Sequence, residues 1–310
     1  MPRLIAGLIL IIAILALVGC GDDDDATPTR GVDTTPAPEG TFPDDDPTTI
    51  ETTPGPTANA APGPPTGDRP LYLSVGDSLA AGIGATDPTR GGWAPLVALS
   101  LPDYDFVNLG IPGDDSDELL NDGQLDYALA EIFSREGDDD PANDVGVITL
   151  EIGGNDLLDI YFDLVIPGDC PNITESLQRE VCVDAFETAL SEYSANLSQT
   201  LTTLRSAVDA PIFLITLYNP FSGGASTVDE IGQLALEGME GSPFPEGLND
   251  VIRQIGGEFG VHMVEWYELF LGKQADYISM DLIHPNDTGH RVMADAVIGA
   301  MAQAGLPVVD

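Results

Sequence analysis

The stretch Leu71-Tyr72-Leu73-Ser74-Val75-Gly76-Asp77-Ser78-Leu79-Ala80-Ala81-Gly82 decides the fold. Residues 71–75 are an apolar run of strand length, opened by Pro70 and closed by Gly76. An acid and a hydroxyl follow, and then Leu-Ala-Ala, which favours a helix. A strand, a tight turn and a helix in that order put the turn at the carboxyl edge of an open α/β sheet, where ligands bind. A serine placed there can expose its hydroxyl, and its own N–H lies at a helix N-terminus, where negative charge is favoured. Taken alone, capping the helix is the more ordinary role for Ser78. The remainder of the chain decides otherwise.

Further strand-length runs lie at residues 105–110, 145–152, 211–217 and 261–266. The run at 145–152 is almost continuously apolar, as buried parallel strands are. Between the runs come helical stretches. Residues 91–99 carry Pro95 in a first turn. Leu119, Leu120, Leu125, Ala128, Leu129 and Ile132 recur at helical spacing. One or two long helices are expected over 174–208, another over 247–258, and a terminal one from near Asp287. Strands alternating with helices predict a parallel sheet covered on both faces. Five strands with short early connections predict a three-layer α/β sandwich in the flavodoxin-like order 2-1-3-4-5, joined by right-handed crossovers.

The first fifth of the chain reads differently. Met1-Pro2-Arg3 and an apolar run over 4–18 have the form of a secretory signal, too short to span a bilayer. The ending Leu17-Val18-Gly19-Cys20 resembles a bacterial lipobox, which implies cleavage after residue 19 and a lipid on the thiol of Cys20. Residues 20–69 are rich in Asp, Thr and Pro, too poor in large apolar side chains to offset their ordering entropy, and are expected to be a disordered tether. The globular domain is therefore expected over 70–310, exported and held at the outer face of the cytoplasmic membrane.

Charge narrows the partners. Of 52 acidic and 10 basic residues, 41 and 7 lie from Pro70 onward, a net −34 for the domain. Such a surface repels nucleic acid and anionic headgroups. Cys170 and Cys182 are left over in an exported chain, which favours a disulfide. Their spacing fits no zinc pattern, and Asp138-Asp139-Asp140 lacks the ligand spacing of a calcium loop. No metal and no cofactor are expected, and the protein is expected to be a monomer.

The chemistry lies in where polar and glycine residues fall. The first strand ends in Gly76-Asp77-Ser78, the second in Asn108-Leu109-Gly110, the third in Gly153-Gly154-Asn155-Asp156. In a parallel sheet all three ends share one edge. Acyl transfer to water needs a nucleophile, a base with an orienting acid, and donors aimed at the developing oxyanion. Ser78 supplies the hydroxyl. The N–H groups of Ser78 and Gly110 and the amide of Asn155 supply donors. Of the three histidines, His262 falls in a strand and His290 in the last helix. His284 sits in a late loop, three residues after Asp281, from which a carboxylate can fold back onto Nδ1.

These residues, Gly76-Asp77-Ser78-Leu79, Gly110, Gly153-x-Asn155-Asp156 and Asp281-x-x-His284, stand in the order and approximate spacing of the four motif blocks of the GDSL/SGNH hydrolases, and the chain resembles that family over the whole domain. The resemblance implies Ser78 as nucleophile, His284 as base, Asp281 as its orienter, and Ser78, Gly110 and Asn155 as the oxyanion hole. It implies a serine hydrolase of carboxyl esters, an esterase or lipase acting on a small-molecule, lipid or glycan ester. A carbohydrate O-acetyl esterase is the alternative within hydrolases. A non-catalytic binding module would show decay of a motif residue, and none is missing. Nicotinamide binding is disfavoured because Gly82-x-Gly84 lacks the third glycine. The inserted stretch 167–183 belongs to no block.

Overall fold

In the computed structural model, residues 62–63, 65–137, 140–224 and 227–309 are described. The expected signal segment, Cys20 with its expected lipid, and most of the expected tether lie outside them. β1 (Leu71–Gly76), β2 (Asp105–Asn108), β3 (Val145–Glu151), β4 (Ile212–Ile215) and β5 (His262–Val264) form one parallel sheet in the order β2-β1-β3-β4-β5. This is the order expected from the sequence. Register sets Ser74 beside Asn108 and Gly76 beside Glu151, so the turns after β1, β2 and β3 leave from a common edge.

The strands are buried on both faces because helices cover both. Leu71, Leu73, Val75, Ile148, Leu150, Ile212 and Leu214 pack against helices Gln124–Glu136, Glu180–Ala207 and Leu248–Phe259. Tyr72, Val147, Phe213, Ile215 and Val264 face the opposite core, with helices Trp93–Leu99 and Asp287–Gln303. Alternation along β1 thus sends odd positions to one layer and even positions to the other.

Four local features depart from the sequence reading. No regular helix follows Ser78: residues 78–84 are turns, and the next helices are Pro88–Gly91 and Trp93–Leu99. A bond of α-helical type runs from the Ala81 N–H to the Asp77 carbonyl at 3.0 Å, before Gly82 at φ +82° and Gly84 at φ +97° end the turn. The amphipathic stretch near 119–132 is two helices, Ser116–Asn121 and Gln124–Glu136, broken where Gly123 takes φ +108°. Helix Thr227–Glu237 was not anticipated. Finally, helix Gly154–Ile160 continues as a π turn over Tyr161–Val165.

At the start of the domain, Thr66, Gly67 and Arg69, assigned to the tether by composition, bond to buried Asp105. Burial alone would raise the Asp105 carboxyl. The N–H groups of Thr66 and Gly67 and the guanidiniums of Arg69 and Arg135 outweigh it and hold the group at about 2. Cys170 and Cys182 form the expected disulfide, with Cα atoms 5.9 Å apart.

Candidate active site

Ser78 is the second residue after β1, on the turn at the carboxyl edge. Two features bring it to the late loop. Gly84 lies flat against the Pro285 carbonyl and the Cβ of His284, where any side chain would collide. His290, fully buried on the last helix, takes a hydrogen bond from the Trp93 N–H at 3.3 Å and donates from Nε2 to the Ile83 carbonyl at 3.0 Å. Burial lowers His290 to about 4, so it is neutral near pH 7 and serves as a strut between helix and loop.

The late loop is clamped at its base. The Ser279 N–H donates to the His284 carbonyl at 2.8 Å, the Asn286 N–H to the Tyr277 carbonyl at 2.8 Å, and the Tyr218 hydroxyl to the Ile283 carbonyl at 2.7 Å. Within it, Oδ1 of Asp281 accepts from the N–H groups of Ile283 at 3.0 Å and His284 at 2.9 Å and from the Ser279 hydroxyl at 2.8 Å. Leu282, between the two functional residues, takes φ +66°, a conformation uncommon for a branched side chain.

The result is a continuous chain of hydrogen bonds. His284 Nδ1 lies 2.7 Å from Asp281 Oδ2, and His284 Nε2 lies 2.9 Å from Ser78 Oγ. Burial alone would raise the Asp281 carboxyl. The Ile283 N–H, the His284 ring and N–H, and the Ser279 hydroxyl outweigh it and hold it at about 2. An ionised Asp281 accepts the Nδ1–H, which fixes the tautomer and leaves Nε2 free to accept from the Ser78 hydroxyl.

The other expected donors lie nearby but are engaged. Asn155 Nδ2 donates to the Asp114 carbonyl at 2.7 Å and stands 3.4 Å from Asp77 Oδ2. The Gly110 N–H donates to Asn108 Oδ1 at 3.0 Å, and Asn108 in turn donates to the Ala80 carbonyl at 2.7 Å. Gly110 packs on the Ala80–Ala81 backbone with no room for a side chain. Ser78, Asn155 and His284 line one cavity, and Gly110 is absent from its lining. Cys170 and Cys182 line it as well, so the inserted segment roofs the site.

Several residues escaped the sequence reading. Asp156 accepts from the Ser116 N–H at 3.1 Å and from the Ser116 hydroxyl, and burial raises it to about 6. It therefore anchors the helix at Ser116. Ser116 is itself buried and bonded to Asp156 and Asn196, so its hydroxyl is structural. Asp77 follows the same logic, accepting from the Leu79 N–H at 2.8 Å from a buried position. Beside it Glu151 ends β3, fully buried against Asp77. Burial, and then the Asp77 charge, push Glu151 well above the usual carboxylate range, so this pair retains a proton. A polar residue at the last position of an apolar strand was the one signal for Glu151.

The sequence model of the GDSL-like Lipase/Acylhydrolase family matches residues 74–292, and the chain belongs to that family. Among curated proteins it is similar to the uncharacterised protein YpmR of Bacillus subtilis (strain 168), 26% identical over 247 residues that cover 76% of this chain and 83% of that protein. Two solved structures share the fold. The lipase Lip_vut3 from a goat rumen metagenome is 20% identical with a TM-score of 0.53, covering 74% of this chain and 97% of that one. The acetylxylan esterase Axe2 from Geobacillus stearothermophilus is 18% identical with a TM-score of 0.50, covering 75% and 94%.

Proposed function

We propose that the chain is a serine hydrolase of carboxyl esters that works through an acyl-enzyme on Ser78. The observation that supports this reading is the bonded order Asp281–His284–Ser78, at 2.7 and 2.9 Å, facing a cavity. Ser78 Oγ attacks the ester carbonyl carbon while its proton passes to His284 Nε2. Asp281 stabilises the imidazolium so formed. The carbonyl oxygen, now negative, takes donors from the Ser78 N–H and the Asn155 amide, while the Gly110 N–H stays bonded to Asn108. Collapse breaks the bond to the alcohol, which leaves with the proton from Nε2. Water, deprotonated by the same imidazole, then releases the acid and restores Ser78. Replacing Ser78 with Ala is expected to lower hydrolysis of p-nitrophenyl acetate by roughly 10⁴-fold or more with the fold intact. Full activity in Ser78→Ala would end this reading.

The site of action in this reading is the cell envelope. The Leu17-Val18-Gly19-Cys20 ending, the acidic low-complexity stretch and the disulfide all support export and a lipid on Cys20. Membrane fractionation tests it: Cys20→Ser is expected to leave the membrane pellet, and its retention there at unchanged level would contradict the anchor.

A further inference from the structure

The cavity beyond Ser78 is the feature that the catalytic reading leaves unused. Its volume is about 160 Å³. At one end stand Ser78, Asn155 and His284, and away from them the walls are aliphatic and aromatic. One wall is the helix that begins at Gly154 and continues through the π turn, where Tyr161 meets Phe221 at 5.0 Å between ring centroids. The roof is the segment tied down by the Cys170–Cys182 disulfide. A separate apolar cluster of Phe186, Leu234 and Phe244 also borders it, with Phe186 and Phe244 edge to face at 4.6 Å. A water-filled pocket for an acetyl group needs none of this, and an acetylated sugar would find almost no polar partner along these walls.

We infer that this cavity is an acyl-chain pocket, and that the preferred substrates are esters of medium-length, unbranched aliphatic acids. The inference rests on the acyl-enzyme reading above. Size sets the length: an apolar cavity of about 150 Å³ holds benzene, so this one takes roughly six to eight carbons. Chemistry sets the orientation. The alcohol must leave and water must take its place before the acyl-enzyme can be hydrolysed, so the alcohol side has to be open. The group that stays bonded to Ser78 is the one that can occupy the apolar pocket. The disulfide is then a specificity device, because it holds the roof over the chain and lies away from the bond that breaks.

The test is kcat/KM across p-nitrophenyl esters from two to twelve carbons, beside a series of alkyl acetates in which only the alcohol lengthens. The expected result is a rise of about fourfold per methylene up to six or eight carbons, then a fall, with no such rise in the alkyl acetate series. Phe186→Ala should move the optimum to longer chains, and Leu234→Phe, which fills space, should move it to shorter ones. The double variant Cys170→Ser/Cys182→Ser should flatten the profile. A profile that is highest at two carbons, or a length dependence carried by the alcohol, would overturn the pocket assignment while Ser78-dependent hydrolysis of the acetate keeps the enzyme reading intact. Optima unmoved in both Phe186→Ala and Leu234→Phe would overturn it as well. Loss of Ser78 dependence would instead remove the reading on which it rests.

Discussion

Asn155 Nδ2 donates to the backbone oxygen of Asp114 at 2.7 Å, so the side chain after β3 holds the loop that follows β2. That loop begins after Asn108 and carries Gly110, whose N–H is held by the Asn108 side chain. One amide therefore bridges two strand ends at the same edge of the sheet. Replacement by Ala removes both an anion donor and a loop restraint. The expected outcome for Asn155→Ala is a kcat lower by about 10²–10³ with KM little changed, because the oxyanion exists in the transition state and not in bound substrate. Steady-state kinetics on a single ester decide it; a change confined to KM would make Asn155 a substrate-binding residue.

Asp281 has a different role, and its prediction is a loss of rate. Asp281→Asn is expected to cut kcat by up to ~10⁴ in steady-state kinetics, because an amide can favour the wrong imidazole tautomer. The control is Asp287→Asn. Asp287 accepts from the Thr86 N–H at 2.7 Å and the Thr86 hydroxyl at 2.8 Å, and so restrains the loop after Ser78 without touching His284. Equal losses in the two variants would show that the loops, and not the charge, carry the effect.

The buried Asp77–Glu151 pair predicts how stability varies with pH. In the unfolded chain Glu151 releases its proton in the ordinary carboxylate range, whereas in the folded chain burial and the Asp77 charge keep it bound. Folded protein then binds more protons than unfolded, and stability falls as pH rises above that range, until the raised folded value is passed. Glu151→Gln keeps the shape and removes the titration. Thermal unfolding at pH 5 and pH 9 should show the variant gaining on the wild type at the higher pH. A difference independent of pH would mean that Glu151 is ionised in the folded state.

What could be seen in the sequence was governed by range. The five strands follow from short apolar runs, the first three closed by glycine, and the motif residues Ser78, Gly110, Asn155 and His284 stand at their ends or in one late loop. The helix expected after Ser78 does not form because Gly82 and Gly84 give up helical geometry for close approach to Gly92 and Pro285, contacts made with distant parts of the chain. Helix Thr227–Glu237 was hidden by Gly232, although Val228, Ile231, Leu234 and Ala235 keep the helical period. The acyl pocket was invisible for a similar reason. Its walls come from five separate segments, and only packing brings Phe186, Phe221 and Phe244 to one cavity.

The account stands on Ser78 as the atom that carries the acyl group. Treating the protein with an excess of a reactive alkyl phosphonate and mapping the adduct by peptide mass spectrometry tests this directly. One adduct per chain is predicted, on the peptide containing Ser78, absent from Ser78→Ala and formed far more slowly in His284→Ala, whose serine has lost the base at 2.9 Å. An adduct on Ser222 or another residue that abolishes hydrolysis, or loss of no activity when Ser78 is modified, would contradict it.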